Sequence, residues 1–166
     1  MSRPRDFHAG DGDDAGRHLV TYPRQPYTDA IGDRILSLVT VSTSDASTKF
    51  SASTLKQNLF NPDADCLQSQ WKKCSGGQFN WIAGDFINVQ IPGLIGSYQT
   101  GGEAREEAIR QMKSKGLYRD DLQELGDNII FVIAEGVREG FVANAAIDFF
   151  VATFSDKWGN DLRALS

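Results

Sequence analysis

The stretch Ile35-Leu36-Ser37-Leu38-Val39-Thr40-Val41 is a continuous run of apolar and β-branched residues with a single serine. This composition predicts a β-strand that is buried on both faces. The stretch from Asn128 to Ala134 (Asn-Ile-Ile-Phe-Val-Ile-Ala) has the same character and predicts a second buried strand. Segments with helical spacing lie between these runs, so the sequence favours an α/β sheet packed against helices.

Three segments have the apolar spacing of amphipathic helices. In the second of them Leu67, Trp71 and Cys74 recur at i, i+4 and i+7, which predicts that these side chains form its buried stripe. The third segment is followed by Gly116, the residue type that favours the left-handed conformation at a helix end. The predicted helices are Thr54 to Phe60, Cys66 to Cys74, and Glu103 to Lys115.

The remaining apolar segments predict further strands. Gln78 to Ile82 and Phe86 to Ile91 alternate apolar and polar residues, which is typical of two half-buried strands. Phe141 to Phe154 is apolar and predicts one or two strands. The expected fold class is α/β (α+β), with a mixed twisted sheet of about four or five strands and two or three helices. Residues 1–33 are expected to form a flexible leader before the folded part at residues 34–166.

The composition of the chain bears on its partners and on its relation to membranes. The chain has 166 residues, of which 40% are hydrophobic and 23% are charged, and its formal net charge is -5. No cluster of Lys and Arg alternates with aromatic residues, so we expect no nucleic-acid partner. No apolar run reaches the ~18 residues of a membrane helix, so we expect no membrane span. No signal peptide is visible near Met1, which leaves the localisation open.

The residue types alone indicate no catalytic or metal-binding site. His8 and His18 lie in the predicted leader at a spacing that is not typical of metal ligands, and neither H-E-x-x-H nor G-x-S-x-G occurs. On one helix Cys66 and Cys74 would lie roughly 12 Å apart, whereas a disulfide tolerates about 7 Å between Cα atoms. We therefore expect either free thiols or a partner cysteine outside this chain.

Four segments, in this order, resemble motifs of the gametolysin-type (metzincin-like) zinc metallopeptidases. Leu67 to Phe79 (Leu-Gln-Ser-Gln-Trp-Lys-Lys-Cys-Ser-Gly-Gly-Gln-Phe) resembles the family's first helix and the entry to its next strand. Asp127 to Phe131 and Gly140 to Ala145 resemble two of its strands, and Phe154 to Trp158 resembles a turn. The similarity covers residues 34–166 and implies the N-terminal half of a metallopeptidase-like catalytic domain.

In this family the turn is followed by a helix that carries the zinc-binding motif H-E-x-x-H. The resemblance places the first histidine of that motif directly after Ser166, so it implies zinc as the cofactor of the complete parent domain. It assigns no metal ligand and no catalytic residue within this chain. The positions of the family motifs that the resemblance marks as structural are Trp71, Cys74, Gly77, Asp156 and Trp158.

The resemblance also implies a substrate-binding element. In metzincin-like peptidases an edge strand above the cleft pairs with the extended substrate, so the expected partner is a peptide or protein. The corresponding residues here are Gly140, Phe141, Val142, Ala143, Asn144 and Ala145. Val132 and Gly159 stand where the family usually has cysteines, which departs from its disulfide pattern, and the family is extracellular.

The leading hypothesis is a fragment of a gametolysin-like zinc metalloendopeptidase, inactive on its own, from a family that hydrolyses peptide bonds. Such a fragment should expose the sheet face that the active-site helix covers. An alternative is a non-catalytic protein-interaction module, a pseudo-peptidase, built on the same half-domain. A third hypothesis is a small-ligand α/β domain in which Thr100-Gly101-Gly102 binds an anion at the start of a helix.

Overall fold

The structure is a computed structural model that describes residues 31–61, 66–145 and 150–157. Within them, the chain forms five strands and three α-helices. The strands are β1 (Gly32–Ser42), β2 (Phe79–Gln90), β3 (Asn128–Ile133), β4 (Ala143–Ala145) and β5 (Val151–Ser155). The helices are α1 (Ala52–Phe60), α2 (Leu67–Cys74) and α3 (Gly101–Ser114). Because β1 begins at Gly32, it includes the last two residues of the predicted leader, and residues 1–30 lie outside the described part.

The five strands form one mixed sheet in the order β2-β1-β3-β5-β4. The pairs β1–β2, β1–β3 and β3–β5 are parallel, whereas β4 pairs antiparallel with β5 at one edge. This arrangement confirms the predicted α/β class with a mixed sheet. None of the helices in the described ranges is long and apolar enough to cross a membrane.

Helices cover both faces of the sheet. The chain moves from β1 to β2 through α1 and α2, and then returns past β1 to β3 through α3. Right-handed crossovers in these two opposite directions place the two helical layers on opposite faces. Accordingly, Leu38 packs in a core with Leu55 and Leu59 of α1, whereas Val39 packs in the core that contains Met112 of α3.

The central strand and the third helix agree with the sequence prediction. Residues 36–41 of β1 are all buried, which confirms burial on both faces. Burial of Ala104, Ala108, Ile109 and Met112 confirms the stripe implied by the spacing in α3. Gly116 follows α3 with a φ of 69°, as predicted for a residue that ends a helix.

The two strands predicted at 78–82 and 86–91 form the single strand β2. The register between β1 and β2 shifts in this region. Leu36 of β1 pairs with Ala83 of β2, but Leu38, two residues further on, pairs with Phe86, which is three residues further on. Asp85 donates its backbone N–H to the hydroxyl of Ser37 at 2.8 Å, which holds this irregularity in place. The residues between the two predicted strands are therefore a bulge inside one long strand.

The stripe predicted for α2 was wrong at two of its three positions. Leu67 is buried, but Trp71 is 40% exposed and Cys74 is exposed. The reason is that Trp71 lies against the rings of Phe79 and Trp81, and this aromatic group meets solvent on one side. Helical spacing correctly identified a shared face, but it did not show how much of that face the sheet covers.

The last apolar segment agrees with the prediction of one or two strands. The apolar segment from Phe141 to Phe154 contains two strands, β4 and β5, and residues 146–149 lie outside the described part. In α3 the side chain of Arg110 binds Glu107, and that of Arg105 binds Glu106.

Candidate functional site

The candidate site is the edge strand β4 with the surfaces on either side of it. Ala143, Asn144 and Ala145 form this strand, and all three are exposed. No described strand lies beyond β4, so one of its sides is an open sheet edge. Of the other residues predicted for this element, Val142 is exposed, Phe141 is half-buried, and Gly140 adopts a φ of 35° in the turn before the strand.

The hydrogen-bond phase of β4 determines which backbone groups face outward. Ser155 donates its N–H to the carbonyl oxygen of Val142 at 3.0 Å, and Ala143 lies directly opposite Phe154. In an antiparallel ladder this makes Ala143–Phe154 a non-hydrogen-bonded pair and the next pair along β4 a hydrogen-bonded one. The N–H and C=O groups of Ala143 and Ala145 therefore point away from the sheet, where an added strand would meet them.

The chain before β4 is anchored on the first turn of α3. A Cβ atom at Gly101 would lie 2.3 Å from the ring of Phe141, so the aromatic ring occupies the space that a side chain would need. The hydroxyl of Thr100 accepts the N–H of Glu103 at 3.2 Å and caps the same turn. At the start of α3, where an anion site was a third hypothesis, Thr100 therefore caps the N–H of Glu103 and Phe141 lies against Gly101.

On the face covered by α3, a polar group lies next to β4. Asn144 is directly opposite Thr153 of β5, so the two side chains lie on the same face. Arg105 of α3 donates from Nη1 to the hydroxyl of Thr153 at 3.2 Å. Its Nε and Nη2 donate to one carboxylate oxygen of Glu106 at 3.2 and 2.8 Å. Sequence patterns gave no sign of this contact, because 48 positions separate Arg105 from Thr153.

On the opposite face, an apolar groove of about 230 Å³ lies over β3 and β5. Ala143 and Ala145 are on this side of β4, because they pair with Phe154 and Ala152. The indole N–H of Trp81 is buried without a hydrogen-bond partner. The groove is lined by Leu36, Leu67, Trp71, Trp81, Asn128, Ile129, Ile130, Phe150, Ala152 and Phe154.

Asp156 is a buried carboxylate directly after β5. Its Oδ2 accepts the backbone N–H of Lys49 at 2.6 Å, whereas its Oδ1 has no partner. Burial raises the pKa of Asp156, and the N–H and the positive charge of Lys49 oppose this rise. The ammonium group of Lys49 is bound to Glu135, and this hydrogen bond raises the pKa of Lys49.

Of the other residues marked by the resemblance, Cys74 ends α2 and Gly77 lies in the turn after it. Gly77 has a φ of 80° in the turn after α2, which only glycine adopts readily. Cys66 and Cys74 are both free, and Cys74 is exposed. Trp158 lies outside the described residues. Within the described ranges, no group of three His, Cys, Asp or Glu side chains is arranged to hold a metal ion, so these residues do not fit a zinc site.

Comparison with known proteins gives no match for this chain, either among protein-family models or among curated sequences.

Proposed function

We propose that this chain is the sheet half of a gametolysin-type zinc metalloendopeptidase domain and that β4 binds the extended peptide substrate. The main support is the position of β4, the antiparallel edge strand whose residues 143–145 are the ones expected to pair with substrate. A peptide that adds to β4 would bond to the outward N–H and C=O groups of Ala143 and Ala145. Peptide recognition of this kind is strand addition, in which main-chain hydrogen bonds provide affinity.

The apolar groove is a second support for the proposal. A half-domain without its active-site helix is expected to leave apolar surface on one face of the sheet. The groove over β3 and β5 lies on such a face, and Ile130, Ala152 and Phe154 form part of its lining. Peptide-bond hydrolysis by this family requires zinc ligands and a general base. We assign neither role to a residue of this chain, since the described residues do not fit a zinc site.

The direct test of the family assignment is the coding sequence after the codon of Ser166. The proposal predicts an H-E-x-x-H motif within the next few codons. The extended protein, expressed with zinc, should then cleave a denatured protein substrate, and replacing the glutamate of the motif by glutamine should abolish cleavage. An open reading frame that continues without the motif would contradict the peptidase assignment.

The same edge strand supports a second candidate, a non-catalytic module that binds extended peptides, because the pairing geometry of β4 uses no metal ligand. Binding of the dye ANS distinguishes the two candidates. For a peptidase half-domain, ANS fluorescence should rise with the 166-residue chain and fall again when the active-site helix is included. A self-contained module should give no ANS signal and should bind peptides without cleaving them.

A further inference from the structure

We infer that the peptide paired with β4 carries an acidic side chain opposite Asn144 and that Arg105 selects it. This inference rests on the proposed strand addition at β4 and concerns the substrate class of that site. It follows from the polar group on the α3 side of the sheet, where Arg105 contacts Thr153 beside the edge strand.

The register of β4 determines which peptide residue faces α3. The backbone groups of Asn144 point toward β5, so in a peptide that adds antiparallel to β4 the residue opposite Asn144 would form a non-hydrogen-bonded pair with it. In such pairs the Cα atoms approach to about 4.5 Å and the side chains lie closest. The side chains of this peptide residue, Asn144 and Thr153 would then form one row across the face that α3 covers.

Arg105 has hydrogen-bonding capacity left for a ligand in this row. A guanidinium group has five N–H donors. In Arg105, Nε and one hydrogen of Nη2 bind Glu106, and one hydrogen of Nη1 binds Thr153. One hydrogen on Nη1 and one on Nη2 remain. Two N–H donors of one guanidinium can bind both oxygens of a planar carboxylate, which is why arginine binds carboxylates better than lysine does.

Distance and burial favour an acidic peptide residue. Adjacent strands lie about 4.8 Å apart, so the peptide backbone would be about 10 Å from β5. Asn144 is exposed and its side chain is short, so a glutamate opposite it would extend over it toward Arg105. The side chain of Arg105 is 19% exposed, so its charge is screened less than that of a surface arginine. Glu106 neutralises part of this charge, and we therefore expect a preference of about tenfold rather than more.

The test uses a short host peptide of alternating valine and serine with one central guest residue, either Glu, Gln or Lys. We expect the glutamate peptide to bind the wild-type chain about tenfold more tightly than the lysine peptide. Arg105→Gln should remove this preference, and Arg105→Glu should reverse it. Arg110→Glu is the control, because Arg110 lies on the same helix but is 68% exposed and bound to Glu107. Circular dichroism of each variant checks that the fold is retained.

The outcomes separate this inference from the proposed function. Equal affinity for the three guest residues, or a preference that persists in Arg105→Gln, would overturn the role of Arg105 and leave strand addition intact. An equal loss of preference in Arg110→Glu would also overturn it, since the effect would then reflect the overall charge of α3. If no host peptide binds, both the inference and the proposed strand addition are wrong.

Discussion

The backbone N–H of Ser155 donates to the carbonyl oxygen of Val142 at 3.0 Å, across the only antiparallel pair in the described sheet. This one bond determines the phase of the whole β4–β5 ladder. It places the N–H and C=O of Asn144 inside the sheet and those of Ala143 and Ala145 on its open edge. Asn144 therefore bonds within the sheet, whereas Ala143 and Ala145 are available to a ligand, and substitutions can distinguish these two roles.

Proline substitutions along β4 should have opposite effects at neighbouring positions. Ala145→Pro removes an N–H that points outward, so we expect the fold to be retained and peptide binding to be lost. Asn144→Pro removes an N–H that bonds to β5, and we expect the free energy of unfolding to fall by about 1–3 kcal/mol. Urea denaturation and peptide titration of both variants measure the two effects. Equal stability of the two variants would contradict the assigned phase.

Replacing Gly101 by alanine should destabilise β4, although Gly101 lies in α3. Its Cβ would lie 2.3 Å from the ring of Phe141, so the ring has to move and the anchor of the edge strand is weakened. We expect a loss of about 1–3 kcal/mol in the free energy of unfolding together with weaker peptide binding. At Gly102 the nearest atom to a Cβ is 3.5 Å away, an ordinary contact. Gly102→Ala should therefore be neutral or slightly stabilising, because alanine favours the helix.

The buried carboxylate of Asp156 should make stability depend on pH. Burial raises its pKa in the folded state above the ordinary value of 3.8. Between these two pKa values the folded state holds more protons than the unfolded state, so this group's contribution to stability falls as pH rises. It is fully present below 3.8 and is lost once the pH passes the raised pKa of the folded state.

The Asp156→Asn variant isolates this effect. Asparagine does not titrate, so any change in its hydrogen bonding to Lys49 shifts stability by an amount that is independent of pH. We expect the stability of the variant relative to wild type to increase from the acid range toward neutrality, as measured by urea denaturation. A difference that stays constant with pH, or that decreases, would show that Asp156 does not titrate as its burial implies.

The sequence was sufficient to predict those elements whose pattern is local and strong. Residues 36–41 are apolar or β-branched except for Ser37, and such a run is typical of a central strand with both faces covered. The stripe of α3 was predicted correctly because Ala104, Ala108 and Met112 recur at helical spacing and the whole stripe faces the sheet. The class of the fold follows from the order of these elements.

The features that were missed depend on contacts between distant parts of the chain. The bulge in β2 requires Ser37 to accept the N–H of Asp85, and no local pattern connects these residues. The partial exposure of Trp71 depends on where the sheet ends. The polar group beside β4 requires Arg105 and Thr153 to meet across 48 positions. Sequence motifs marked residues 140–145 as an edge strand, but its phase and the groups on its two faces came from the sheet register.

The central claim is that an extended peptide pairs with β4, and amide hydrogen exchange measured by NMR tests it most directly. In the free chain, the amide of Asn144 should exchange slowly, because it is bonded within the sheet, and the amides of Ala143 and Ala145 should exchange fast. After addition of the glutamate host peptide, we expect the amides of Ala143 and Ala145 to become protected while that of Asn144 changes little. Bound peptide with no added protection at Ala143 and Ala145 would contradict strand addition at this edge.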